Sequence, residues 1–425
     1  MGTTADKLAY LEGTKTAIRD AIAARGVDVP ESTAFRDYAG KIGEISGGGS
    51  ADPLDPEFFY SNFRPKDWIP MPEPGDDEMY LLMHLPNELV GYVAFTVHCT
   101  GSYTVEKGCI RDGAYMSAST QTLESGSTYE EEIDSNWSTD PTTDDMLQVL
   151  LRVRGTGITS WELAPRTGVD LPYTVWNIVD IACRLPSCTK MKLGAEDYAR
   201  SLTSLRYFAW FGPNQMSDMT GMFSGCRSLR AVRALDTSSV TNMNSAFSDC
   251  SSLTALPALE TSQVTTLSKT FENCMSLTEL PAMDLSAVQD FSYAFYGCRS
   301  LRSLEWLRAS SGQTFEFCFF DCTSLRTLSN LSLDGHPGDF GFQNAFYGCY
   351  SLEKVTFATP QSTWSGCDMI FEETQLSYFG VLALLYSLPF INGTKTIYLA
   401  GTPGAKNIVE KDIQLATDKG WILVY

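Results

Sequence analysis

The chain has three histidines, His84, His98 and His336, set far apart in different local contexts. A hydrolytic triad needs an imidazole oriented by a third group beside a nucleophile. No G-x-S-x-G, H-E-x-x-H, phosphate-loop or G-x-G-x-x-G string supplies such a frame. His98 falls inside an apolar run next to Cys99 and reads as structural. Acidic clusters occur at Asp76, Asp77 and Glu78, at Glu130 to Glu132, and at Asp140, Asp144 and Asp145. The last could offer hard oxygen ligands to calcium, but EF-hand spacing is missing and solvated loop charge is the simpler reading. Paired carboxylates for glycan cleavage can come from distant positions, so that alternative stays open. The expectation is a non-enzymatic chain with no cofactor and no metal.

The 12 cysteines are the other reactive group, and half of them obey a rule. Cys226, Cys250, Cys274, Cys298 and Cys322 are spaced by 24 residues, and Cys349 follows after 27. Each closes a similar phrase, as in MFSGCRSL, AFSDCSSL, TFENCMSL and AFYGCYSL. Zinc would want paired C-x-x-C motifs and histidines. The array's only close pair is Cys318 and Cys322, and Cys318 fits a small-residue slot held elsewhere by Ala246, Ala294 and Ala345. The thiols therefore read as buried and reduced.

Other apolar residues keep the same phase. Numbering each turn from its cysteine, position −3 holds Phe223, Phe247, Phe271, Phe295, Phe319 and Phe346. Position +3 is always leucine, from Leu229 to Leu352, and position +6 is leucine or valine. A period of this length marks a solenoid, in which no turn can bury its own apolar face and stacking builds one continuous core. Short parallel strands are expected near the S-L-x-x-L phrase, about 4.8 Å apart. Leu202 lies in the cysteine slot one turn upstream, and IFEET keeps Phe371 but loses the cysteine, so both flanks read as caps. The extra residues at Asp334 to Gly341 read as a surface loop.

The phrases MFSGCRSL, LDTSSVTNM and CSSLTALP resemble BspA-type leucine-rich repeats, which occur in bacterial surface proteins and in tail proteins of phages and prophages. VLALLYSLP followed by LATDKGWILVY resembles the usual ending of such arrays. The resemblance covers roughly residues 175–425 and implies attachment through the array.

Upstream, residues 1–45 read as two short helices. Leu8, Leu11, Ile18 and Ile22 form one apolar stripe, and Phe35, Tyr38, Ile42 and Ile45 the other. Helices this short need a partner, either each other or copies from other chains. KLAYLEGTKTAIRDAIAARGVDVPESTAFRDYAGKI resembles the N-terminal module of phage tail-fibre proteins, which implies docking onto other tail proteins and homo-oligomerisation, possibly as a trimer. SGGGS lies in a flexible linker over 46–55. Residues 56–170 show strand patterns such as LVGYVAFTVHC, GSYTVEKG and MLQVLLRVRG, separated by turn clusters. They suggest a β-sandwich with a loose resemblance to PKD-like immunoglobulin-type modules, although VEKGCIRDGA stands where a WGDG-like turn is usual. The expected architecture is thus a helical module, a sandwich over 56–170 and a leucine-rich-repeat solenoid over 171–425.

A net charge of −20 disfavours nucleic-acid partners, because a phosphate backbone requires a basic footprint. No run reaches the roughly 18 apolar residues of a membrane span. MGTTADKLAYLEG lacks the basic and apolar regions of a secretory signal, so synthesis in a host cytoplasm is expected. That favours a virion tail fibre over a bacterial surface adhesin of the same repeat type. A baseplate or decoration protein is a further alternative. Three exposed positions are candidates for a receptor contact. Position −2 turns aromatic with Tyr296, Phe320 and Tyr347, position +1 carries Arg299 and Tyr350, and position +4 carries Arg302 and Arg326. Tyrosine and arginine are favoured at binding hot spots, and aromatic faces also stack on sugars.

Overall fold

The structure is a computed structural model that describes residue 65 and most of 68–425. It leaves out 66–67, 87–90, 112–113, 134–145, 165–176, 195–200, 234, 305–306, 308, 310, 332–341, 343 and 359–367. The two expected helices of residues 1–45 and the linker lie outside the described residues, as do His336, Asp140, Asp144, Asp145 and the Asp334 to Gly341 loop.

The first strands are β1 (Glu78–Pro86), β2 (Gly91–His98), β3 (Ser102–Arg111), β4 (Ala114–Glu124) and β5 (Thr128–Ile133). They are followed by β6 (Met146–Arg154), β7 (Ser160–Leu163), β8 (Ile178–Arg184), β9 (Lys190–Lys192), β10 (Tyr207–Trp210) and β11 (Ala231–Arg233). One sheet has four strands in the order β5-β2-β7-β9. The other has seven, in the order β11-β10-β8-β1-β6-β3-β4. Alternation puts Met79, Leu81, Met83 and Leu85 of β1 in the same core as Phe95, Tyr129 and Trp161 of the smaller sheet. The two sheets therefore share a core. The pairs β7–β9 and β8–β10 are parallel, which an all-antiparallel immunoglobulin-type sandwich does not contain.

β8 joins this region to the repeats. It pairs antiparallel with β1 and parallel with β10, and β10 pairs parallel with β11 of the first cysteine turn. Tyr207 sits opposite Ala231, which confirms the phase that puts Leu202 in the cysteine slot. The open end of the repeat stack is thereby covered by a strand, and Arg64–Tyr425 forms one compact unit.

Within the array, like positions of successive turns meet. The position −3 rings stack from Phe223 through Phe247, Phe271, Phe295, Phe319 and Phe346 to Phe371, with centroids 4.8–5.8 Å apart and planes within 20°. A second internal stack links Phe291, Phe315 and Phe342 at 4.7 Å. The expected strands form only where the backbone permits. β11, β12 (Thr327–Leu331) and β13 (Lys354–Phe357) are extended, whereas Pro257 and Pro281 interrupt the same region of the second and third turns. Proline has no N–H to give to a ladder, so single bridges such as Ala231 to Ala255 remain there.

The cysteine slot is a small buried donor site. In each turn the cysteine N–H closes a tight turn on the phenylalanine carbonyl at −3, as in Cys250 to Phe247 at 3.1 Å. The same carbonyl accepts the thiol of the next turn, as with Cys274 Sγ to Phe247 O at 3.2 Å and Cys298 Sγ to Phe271 O at 3.0 Å. The thiol thus fills volume and satisfies a second lone pair of a buried carbonyl. All six are reduced and buried, as the phase implied. In the cap that follows, Thr374 takes the slot and its hydroxyl turns back to its own Phe371 carbonyl at 2.9 Å.

Each turn also bends twice through left-handed backbone. Position −1 is left-handed at Gly225, Asp249, Asn273, Gly297, Asp321, Gly348 and Glu373, with φ between 56° and 79°. These are the residue types that tolerate such geometry, Glu373 excepted. Its side chain is exposed at φ 58°. Glu373→Gly is expected to stabilise the chain by about 0.5–1 kcal/mol, because relieved strain outweighs added unfolded-state entropy. A lower midpoint in thermal unfolding would contradict this account of the bend.

The C-terminal cap comprises β14 (Met369–Ile370), helix α1 (Tyr378–Ser387), β15 (Lys395–Tyr398), helix α2 (Glu410–Thr417) and β16 (Trp421–Val424). The strands form a parallel sheet in the order β14-β15-β16. Ser377 caps α1 by accepting the Gly380 N–H at 3.1 Å. At the other end, the Lys419 ammonium donates to the carbonyls of Leu385, Tyr386 and Leu388 at 2.8–3.0 Å, occupying the helix's unpaired acceptors. The buried Trp421 indole donates to Pro389 O at 3.0 Å.

Candidate binding face

Stacked turns place one residue from each turn into each surface row. At position −2 the row runs Ser224, Ser248, Glu272, Tyr296, Phe320, Tyr347 and Glu372. Its three aromatic members form a continuous outer stack, Tyr296 to Phe320 at 4.9 Å and Phe320 to Tyr347 at 5.1 Å, with planes 6° and 21° apart. Tyr347 is 47% exposed and the other two are half-buried.

A neighbouring row, not singled out by the sequence reading, extends this surface. Position −5 is the second left-handed bend of the turn, held by Gly221, Ser245, Lys269, Tyr293, Phe317 and Asn344. Tyr293 and Phe317 stack on each other at 4.9 Å and lie 5.7 and 5.6 Å from Tyr296 and Phe320. Five rings thus form one ridge across the last three cysteine turns. The available signal was that two aromatics occupy a row otherwise held by glycine, small polar residues, lysine and asparagine.

The other candidates border the ridge in sequence. Tyr350 at +1 is 45% exposed, and Met275, in the same row of the third turn, is 40% exposed. Arg299 reaches across to the next turn and pairs with Asp321 at 2.7 Å. Arg302 and Arg326 at +4 are exposed, and neither has an ion-pair partner among the described residues.

The groups weighed for chemistry make contacts within the fold. Asp77 accepts the Gly157 and Ile158 N–H groups at 2.7 and 3.1 Å. Glu78 is buried, accepts the Gly75 N–H at 2.6 Å and pairs with Arg152. Glu131 is bound by Lys107 and the Tyr129 hydroxyl. These carboxylates hold loops and strands, whereas Asp76, Glu130 and Glu132 are exposed. His84 is buried with its ring edge-on to Trp68 at 4.5 Å. His98 is exposed at the end of β2, where its carbonyl receives the Thr159 N–H at 2.8 Å.

The coils, rungs and capped ends define a leucine-rich-repeat solenoid. Comparison with known families agrees. Residues 283–388 match the BspA type leucine rich repeat region, and residues 210–328 match a family described as Mycoplasma protein of unknown function, DUF285. No curated protein and no solved structure matches the chain.

Proposed function

We propose that the chain is the receptor-binding protein of a bacteriophage tail fibre, attaching to a glycan or protein on the bacterial surface through its repeat array. The observation that carries this reading is the five-ring ridge, a continuous aromatic surface in which Tyr347 is exposed and the other four rings are half-buried. Exposed apolar clusters of this kind mark interaction sites. The N-terminal module would dock on other tail proteins and assemble the chain as a homo-oligomer, possibly a trimer. Several copies on one particle would raise avidity, so each contact can be weak. The two-sheet region would serve as a spacer. No catalysis, cofactor, nucleic acid or membrane insertion enters this scheme. The described residues contain no helix long and apolar enough to cross a membrane.

The alternative is a surface adhesin displayed by a bacterium, which the repeat type supports equally. A structural virion protein without a receptor would carry the same array but leave the ridge without a task.

The test is adsorption of the labelled intact chain to a panel of bacterial strains. Saturable binding to some strains and not others is expected. Failure to bind any strain in a broad panel would count against attachment, and labelling of bacterial cells in place of virion tails by an antibody to the chain would select the adhesin.

A further inference from the structure

We infer that β16 is an interface between two copies of this chain, paired edge to edge and antiparallel about a two-fold axis. The contact is distinct from the attachment face and from the docking proposed for residues 1–45. Four observations carry it.

The first is an open strand edge. β16 is the outer strand of its sheet, with β15 on its bonded side. The Leu399 and Lys395 N–H groups donate to the Val424 and Gly420 carbonyls at 2.7 and 3.3 Å. That parallel register turns the Leu423 N–H and carbonyl the other way, and neither has a hydrogen-bond partner among the described residues. Proteins blunt such edges with charge, proline, a bulge or a covering element. Elsewhere this molecule does so. β5 carries Glu130, Glu131 and Glu132, β9 carries Lys190 and Lys192, and β4 is bulged opposite Lys107 and Gly108. β11 and β12 continue into neighbouring coils through the Ala231–Ala255 and Ser303–Thr327 bridges, and α1 packs on β13. The four residues of β16, Trp-Ile-Leu-Val, include no charge and no proline.

The second is burial. In the inner row of this sheet Met369 and Ile397 are fully buried, but Leu423 beside them is only partly covered. Ile408 and Leu415 of the same coil are partly covered as well. In the outer rows Ile422 and Val424 are 49% and 43% exposed, and Val409 and Tyr425 are also exposed. A capping turn keeps a solenoid in water by a polar outer face, and this one offers apolar side chains around an open edge.

The third is charge. From Tyr378 to Tyr425, Lys395, Lys406, Lys411 and Lys419 stand against Glu410, Asp412 and Asp418, in a chain of −20. Two copies repel over most of their surface and least here.

The fourth is self-complementarity. The other end of the stack is closed by β8, which is bonded to β1 and to β10. Head-to-tail stacking therefore finds no acceptor, and the complement left to β16 is β16 of a second copy. Such an isologous contact closes at two. With Leu423 on the axis, its N–H and carbonyl bond to those of its counterpart, and Ile422 of one copy lies opposite Val424 of the other. A four-residue edge is small against the roughly 800 Å² per partner of a stable complex, so a dissociation constant of about micromolar order is expected.

The experiment measures the mass of the full chain by light scattering from about 1 to 100 μM, a range that brackets this affinity. One double variant is Ile422→Lys with Val424→Lys, which sets like charges opposite each other across the axis. The other, Ile422→Glu with Val424→Glu, does the same with the opposite sign. Both positions are exposed on the outer rows, so the melting transition should be kept. At high concentration wild type is expected to have twice the mass of either variant, whatever assembly residues 1–45 make. An equimolar mixture of the two variants should regain the wild-type mass, because lysine then meets glutamate.

Equal masses for wild type and both variants would overturn the inference, as would a mixture that stays at the mass of its components. A wild-type mass that climbs without limit would also overturn it, since an isologous pair closes. The wild-type dilution series decides independently of how either variant folds: its mass should halve on dilution, and a constant mass would sink the pairing while leaving the attachment reading untouched.

Discussion

Raising the pH from about 8 to about 10 is expected to unfold the repeat array under reducing conditions. Burial raises the thiols of Cys226, Cys250, Cys274, Cys298, Cys322 and Cys349 above the ordinary value of 9.0, and Cys298 is pushed up to about 12. A raised native pKa means that the folded chain keeps protons the unfolded chain releases. Stability is therefore fully present below pH 9.0 and declines as pH rises toward the raised native values, about 12 for Cys298. One unit above the unfolded pKa each thiol removes on the order of 1 kcal/mol, so the six together remove several kcal/mol. That is comparable with the total stability of a typical domain, roughly 5–15 kcal/mol. Buried phenols act in the same direction, since Tyr103 is raised to about 12. Urea unfolding across this pH range should show a steep fall in midpoint. A chain with Cys250, Cys274 and Cys298 changed to Ser should show a shallower one, because the hydroxyl can still reach the carbonyl of the neighbouring turn and does not titrate there. A flat profile in the wild-type chain would sink the argument.

The second large effect is expected at Phe271. Its ring lies between Phe247 at 5.6 Å and Phe295 at 5.7 Å, with planes within 10°, and it is fully buried. Phe271→Ala removes both contacts and opens a cavity that stacked turns cannot collapse around, costing about 3–5 kcal/mol. A solenoid is stabilised by its nearest-neighbour interfaces, so the loss falls on the joints between the second, third and fourth cysteine turns. Amide exchange should accelerate there first, and unfolding should split into two transitions as the halves uncouple. A cost below about 1 kcal/mol, with a single transition kept, would show that the phenylalanine stack is not the main rung.

Much of this molecule was legible in its phase. Fixed spacing of Phe, Cys and Leu implied stacked turns, and Leu202 and Phe371 marked the flanking turns by keeping part of the pattern. Less visible was what depends on contacts between turns. The second role of the cysteine, donation to a carbonyl 27 residues earlier, has no signature within one repeat. The left-handed bends left a trace in Gly, Asp and Asn before the cysteine, but Tyr293, Phe317 and Glu373 obscured it. Pro257 and Pro281 carried the information that extended structure would be interrupted. For the binding face, the aromatic row of Tyr296, Phe320 and Tyr347 could be found from spacing alone. Whether its rings present faces or edges follows from the distance between turns, which sequence does not encode. The join through β8 was hidden because its partners, β1 and β10, are far away along the chain.

That join has a mechanical consequence. β8 is bonded on both sides, to an antiparallel strand and to a parallel one, so no hinge separates the two-sheet region from the coils. A pull exerted at the ridge must reach β1 through rows of backbone hydrogen bonds in place of a slack tether. The assembly then acts as a stiff lever, and rupture is expected to start by peeling coils from the end that carries β14, β15 and β16, leaving the shared sheet for last.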